Sequence, residues 1–195
     1  MTRYRESVRS LLHERLLDAA YELVTADGWD RVRITHIASK AGVSRQTVYT
    51  EYGSRDAIGQ ALVLREVERF LLGIQESLDK NRAGGMEVTI EAGVLFTLEM
   101  AADNPLLKSV LTSTRGGDDD LLDHLTTRSE PLLHTATGML DGYAAEAWPE
   151  VDAFSRGLAI EAVVRLTVSH LVQPVAAAEE IARRVAVIAG RITRG

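Results

Sequence analysis

The chain has 195 residues, 46% hydrophobic and 26% charged, which supplies apolar material for a sizeable core and excludes a disordered chain. It contains no cysteine, which excludes disulfides and thiolate metal sites and suits a reducing compartment. The formal net charge of −6 argues against a uniformly basic nucleic-acid binder, yet residues 1–55 hold nine Lys and Arg against seven Asp and Glu, and the excess acid lies in the remainder. No apolar run approaches the roughly 18 residues that span a bilayer. The Arg-containing N-terminus lacks a signal-peptide core, so the expected location is the cytoplasm.

Residues 1–7 read as a short arm whose Arg3 and Arg5 are either mobile or able to touch a duplex backbone or minor groove. A first helix is predicted from Val8 to Asp27, with Val8, Leu12, Leu16, Ala19, Ala20, Leu23 and Val24 as its apolar stripe. Gly28 suits its cap, and Trp29 is a packing residue that can fold back on the last turn. Ile34, Ile37, Ala38 and Ala41 then follow the i, i+3, i+4, i+7 spacing of a buried helical face. Gly42 stops that helix, Val43 can plug the corner, and Ser44 is placed to cap a second short helix with Val48 and Tyr52 turned inward. Two helices about a Gly-containing turn form a helix-turn-helix unit, whose second helix enters the DNA major groove. Arg45 and Gln46 occupy its first turn and suit guanine and adenine edges; the hydroxyls of Thr47, Tyr49 and Thr50 suit phosphate. The residues by themselves leave open a helical hairpin with a solvated polar face. Arg3, Arg5, Arg9, Arg31, Arg33, Lys40, Arg45 and Arg55 can supply the local positive surface that phosphate binding requires.

Taken together, Ile37-Ala38, Ala41-Gly42-Val43-Ser44, Thr47-Val48-Tyr49, Tyr52 and the Ser54 to Ile58 run resemble the N-terminal DNA-binding domain of the TetR family of bacterial transcriptional regulators, over roughly residues 10–60. The resemblance implies an all-α protein with an N-terminal three-helix helix-turn-helix domain, residues 1–53. It also implies a C-terminal helical ligand-binding and dimerisation domain, residues 54–195. In such proteins a basic residue at the start of the fourth helix contacts phosphate, a role that falls here on Arg55. Arg33 stands where the family often has a capping Thr; it cannot cap in that way but could reach phosphate, with Thr35 beside it. Glu51 stands where the family often has His, and a carboxylate beside phosphate would be repelled, so Glu51 is expected to point away or pair with a nearby Arg.

Ser54 should cap a fourth helix running to about Asp79, with Lys80 to Gly85 as a loop. A fifth helix is predicted from Met86 to Asp103, ended by Asn104-Pro105, with a short helix from Pro105 to about Leu111. Arg115 to Asp120 reads as a solvated acidic loop capping the next helix rather than a metal site, because no EF-hand spacing follows. That helix extends to Ala147, and Pro131 predicts a kink or break near Glu130. Two further helices, Val151 to Val172 and Ala176 to Ile192, carry apolar stripes. Phe154, Leu158, Ala162, Val163 and Leu166 on one and Ile181, Val185 and Ile188 on the other suit a helix–helix dimer interface, with packing inside one chain as the alternative. The resemblance assigns dimerisation to these two helices.

There is no G-x-S-x-G elbow, P-loop, Rossmann fingerprint or H-E-x-x-H zinc motif, and His13, His36, His124, His134 and His170 are dispersed. No enzyme, cofactor or metal is expected. The expected partners are an operator in double-stranded DNA, a second copy of the chain and a small-molecule effector. Leu95, Phe96, Leu98, Met100, Leu107, Leu111, Leu125, Leu133, Met139 and Tyr143 are the candidate pocket residues, and their apolar character favours a hydrophobic or amphipathic effector. Arg165 could anchor an anionic ligand or pair internally with an acid, the latter being the safer expectation. A DNA-binding dimer without an effector, with a solidly packed body, is the alternative.

Overall fold

In a computed structural model that describes residues 2–104, 106–107 and 130–194, the described residues form eight α-helices and no strand. They are α1 (Thr2–Asp27), α2 (Ile34–Ala41), α3 (Arg45–Tyr52), α4 (Arg55–Asn81), α5 (Met86–Asp103), α6 (Glu130–Ala147), α7 (Ala153–Val172) and α8 (Ala178–Arg194). Short 3-10 turns at Trp29–Arg31 and Arg82–Gly84 bridge α1 to α2 and α4 to α5. The N-terminal arm is thus helical from Thr2, and the stretch expected as a loop after residue 79 is mostly helix. The short helix expected after Pro105, the acidic loop at Arg115 to Asp120 and His124 lie outside the described residues, apart from Leu106 and Leu107. Asn104 Oδ1 accepts from the Leu107 amide at 3.0 Å, an Asn side chain serving as a helix cap.

The chain divides into two compact units, and among the described residues the first is 2–66 and the second 67–107 with 130–194. The division falls inside α4, between Glu66 and Val67. Leu16, Ala20, Ile37, Val48, Ile58 and Leu62 fill the core of the first unit. Its α1 and α4 are also joined by a charge cluster. Arg65, only 7% exposed, reaches Asp18 at 2.7 Å and Glu14 at 3.3 Å through Nη1, and its Nε donates to Glu66 at 3.3 Å.

In the second unit α8 packs on α5 and α7 with most of its apolar face, leaving Ile188 exposed. Ile181 and Val185 are 2% and 1% exposed, with Ala182, Ala186 and Ala189 buried beside them. Their expected place at a dimer surface is therefore corrected: the chain's own body covers them. The small residues let neighbouring helices come close, since Gly190 has Glu87 packed where a Cβ would stand. Helices α4 and α5 interlock in the same way, in both directions. The Phe96 ring of α5 fills the space above Gly73 of α4, stacked on Phe70 with centroids 6.4 Å apart, and Leu78 of α4 sits 2.8 Å from where a Cβ on Gly93 of α5 would stand. Pro131 follows Glu130, the first described residue of α6, and the stretch before it, where a kink or break is expected, lies outside the described residues. Asp152 Oδ1 accepts from the amides of Phe154 and Ser155, both at 3.0 Å, and so starts α7.

Candidate functional site

The helix-turn-helix is built by local chemistry. Ile34, Ile37, Ala38 and Ala41 are all buried, so α2 is held by one apolar face. Gly42 adopts a left-handed conformation with φ 67°, and the Val43 amide donates back to Ala38 at 2.9 Å, closing the helix end in a Schellman pattern. The Arg15 guanidinium donates to the last carbonyl, Ala41, at 2.7 Å. Ser44 Oγ then accepts from the Thr47 amide at 3.0 Å and shares a 2.8 Å hydroxyl bond with Thr47, starting α3. Val48 is fully buried and fixes the rotation of α3. That rotation leaves Arg45, Gln46, Tyr49 and Thr50 exposed on the opposite side, with Thr47 half-buried.

Arg45 and Gln46 side chains have no intramolecular hydrogen bond among the described residues, whereas the Thr50 hydroxyl donates to Gln46 O at 2.9 Å. Thr35 is exposed in the first turn of α2. Arg33 takes the N-cap position without a side-chain cap and donates to Asp30 O at 2.7 Å, tied to the turn before α2. Arg55 is held more firmly. Its guanidinium carbon lies 4.6 Å from the Trp29 ring centroid, Nη2 donates to Trp29 O at 3.0 Å, and Nε is buried without a partner.

Glu51 is paired, as its departure from the family pattern suggests. Its carboxylate accepts from Arg9 Nε at 2.7 Å and lies 2.7 Å from His13 Nε2, and the His13 ring packs on Tyr52 with centroids 4.9 Å apart. His13 was missed by sequence reasoning, and Arg9 was assigned to phosphate rather than to Glu51, since nothing in α1 marks those positions as facing α3. The bond from His13, then that from Arg9, holds the Glu51 carboxyl below the usual glutamate range. A depressed carboxylate contributes stability above its unfolded pKa and loses it as pH falls through the folded value. In thermal melts, Glu51→Gln should therefore be less stable than the parent at neutral pH, with the gap closing below about pH 4, near the ordinary glutamate value. A gap unchanged to pH 3 would mean that the Arg9–Glu51–His13 contact does not hold α3 to α1.

Among the described residues, the second unit holds an apolar cavity of about 60 Å³ and another of about 100 Å³. Leu78, Ile90, Leu140 and Val163 line both, so the two share walls from α4, α5, α6 and α7. Tyr143 lines the smaller cavity, whereas Leu95, Phe96, Leu98, Met100, Leu107 and Met139 line neither of the two. The placement has a physical cause: α5 is apolar almost all round, and the face it turns to these cavities is Met86, Ile90, Gly93, Val94 and Thr97. Leu98 and Leu107 are ordinary core, and Phe96 is engaged on Gly73. Leu111 and Leu125 lie outside the described residues, as does the side chain of Leu133. Val163, expected at a dimer surface, is a wall of both cavities instead. Of the other expected interface residues, Phe154 is 75% exposed, Leu158 and Ile188 are exposed, and Ala162 and Leu166 are half-buried. Arg165 pairs with Glu161 one turn earlier at 2.8 Å on the surface.

A glycine-stopped helix, a serine-capped second helix and an exposed Arg-Gln pair on its first turn define a helix-turn-helix DNA-binding regulator. The comparisons with known proteins carry this further. Residues 16–62 match the model described as bacterial regulatory proteins, tetR family, and residues 86–191 match the bacterial tetracyclin repressor C-terminal domain. The HTH-type transcriptional regulator AlkX of Mycobacterium tuberculosis is 33% identical over 179 residues, covering 92% of this chain and 83% of the relative. The crystal structure of the TetR family repressor AlkX from Dietzia sp. strain DQ12-45-1b superimposes with a TM-score of 0.65 at 28% identity, over 92% of this chain and 97% of that one. That protein is described as implicated in biodegradation of n-alkanes. FadR of Bacillus subtilis, solved with stearoyl-CoA, shares the fold with a TM-score of 0.59 at 16% identity, over 90% of this chain and 96% of that one. The chain belongs to the TetR family of bacterial transcriptional regulators.

Proposed function

We propose that the protein is a homodimeric repressor that binds a pseudo-palindromic operator and releases it when a small hydrophobic or amphipathic effector enters the second unit. The shared apolar cavities carry this reading, because a structural DNA-binding dimer would have a solidly packed body. The descriptions of the relatives, n-alkane biodegradation for one and a stearoyl-CoA complex for another, point to the same ligand chemistry. Arg45 and Gln46 read bases, and Arg33, Thr35, Ser44, Thr47, Tyr49 and Arg55 meet the backbone. Helix α4 links the two activities, since it carries Arg55 at its start and contributes Phe70, Ile74 and Leu78 to the cavities. The effector acts by favouring a conformation whose two recognition helices no longer match successive grooves, which requires tighter binding to that conformation.

Selection of duplexes from a random library by the purified protein should return an inverted repeat, and compounds of the acyl series should raise the melting temperature and release that duplex. Recovery without a repeat, or no response to any acyl compound, would overturn the corresponding half of the proposal. The exposed apolar residues of α7 and α8 are the dimer surface in this reading. Phe154→Asp combined with Ile188→Glu should yield monomers by light scattering with an unchanged circular-dichroism spectrum; a persistent dimer would place the interface elsewhere.

A further inference from the structure

We infer that the effector is an uncharged amphiphile, a short alkyl chain ending in a hydroxyl or carbonyl, whose polar end bonds to the Tyr143 hydroxyl in the smaller cavity. The inference rests on the effector-responsive reading above and narrows it. Every threonine hydroxyl lining the two cavities is already satisfied by its own helix: Thr97 donates to Gly93 O at 2.9 Å, Thr167 to Val163 O at 2.7 Å and Thr193 to Ala189 O at 3.2 Å. Tyr143 is the exception. Its hydroxyl oxygen is buried with no hydrogen-bond partner among the described residues, beside an otherwise apolar space. A buried polar group left unpaired destabilises the empty protein, and a ligand oxygen placed there removes that penalty.

The surrounding charges decide against an anionic head. Both cations near the hydroxyl are already engaged by carboxylates: Arg156 Nε donates to Asp141 at 2.8 Å, and Arg82, which lies 5.9 Å from the Tyr143 ring centroid, reaches Glu146 at 3.4 Å. Asp79 adds a further negative charge near the phenol. A carboxylate entering here would meet Asp141 and Asp79 with the lining Arg156 already paired, and burying it without a dedicated cation is costly. Burial, then Asp79, pushes the phenol pKa up, which keeps the hydroxyl protonated as a donor. The cavities, at about 60 and 100 Å³, share walls and together approach a roughly 150 Å³ apolar cavity that accommodates benzene, room for a short alkyl chain.

The test measures binding of 1-octanol, octanal, octanoate, octanoyl-CoA and octane to the full-length protein and to Tyr143→Phe by calorimetry and thermal shift, alongside release of the selected duplex. The expected result is that 1-octanol binds about tenfold more tightly than octanoate, and that Tyr143→Phe erases about three- to tenfold of the alcohol affinity while leaving octane unchanged. Unliganded Tyr143→Phe should melt no lower than the parent, because it removes the unpaired oxygen and keeps the ring against Trp148. Octanoate binding as tightly as 1-octanol, or an unchanged alcohol affinity in Tyr143→Phe, overturns the inference. If octanoate or octanoyl-CoA binds and releases DNA while 1-octanol does not, the inference fails and the effector-responsive reading stands. If none of the five binds or releases DNA, both fail.

Discussion

Replacing Arg45 with alanine is expected to weaken operator binding by about 1–3 kcal/mol per recognition helix, the range for loss of one bidentate base contact, and a dimer loses it twice. The expectation follows from what holds α3 in place. Val48 is fully buried, Ser44 caps the helix start, and neither depends on Arg45, which is exposed on the opposite face. The variant should therefore fold normally, with an unchanged circular-dichroism spectrum and melting temperature. Fluorescence anisotropy with the selected duplex at fixed salt gives the loss, and titration at several salt concentrations tells base contact from phosphate contact. A base reader relaxes preference at one position with little change in salt slope, whereas a phosphate contact weakens all sequences and lowers the slope by about one. Full retained affinity would remove Arg45 from the interface.

Arg65→Ala should have the largest effect on stability, a loss of about 3 kcal/mol, at the lower end of the roughly 3–5 kcal/mol range for breaking a buried ion pair. The lower end applies because two of its partners, Glu14 and Asp18, are half-exposed and regain water when the guanidinium goes, while Glu66 stays buried. A urea titration followed by helix content should show the first unit unfolding earlier, with less effect on the second. Arg65→Lys should fall between, since a point charge cannot reach acids on α1 and Glu66 together as the planar fork does. A midpoint unchanged in Arg65→Ala would mean that apolar packing alone joins α1 to α4.

The helix-turn-helix was legible because its signals are local. Gly42, Ser44 and the spacing of Ile34, Ile37 and Ala41 each act within a few residues, and the structure places them as the spacing predicts. Helix α5 also begins and ends where Gly85 and Asn104-Pro105 say it must. The unread part depends on which faces meet. The stripe of α8 is as strongly patterned as any in the chain, but periodicity does not say whether its partner is another helix of the same chain or a second copy, so Ile181 and Val185 were misplaced. The cavity walls were hidden for the opposite reason. With α5 apolar nearly all round, no stripe is distinguished, and the face that borders the cavities includes Gly93 and Thr97, which an apolar search passes over. Pairings such as Arg156 with Asp141 or Arg9 with Glu51 join distant segments and leave no mark in the spacing.

The two-way interlock of α4 and α5 limits how α4 can move. Phe96 fills the notch at Gly73, and Leu78 fills the one at Gly93, so each helix is both bolt and socket for the other. A helix keyed at two points in opposite senses cannot slide along its axis by a turn, about 5.4 Å, without driving a ring or a leucine into a side chain. It can still tilt about the keyed pair. The freedom left to the Gly73 to Leu78 stretch of α4 is angular, with the two keys as its fulcrum.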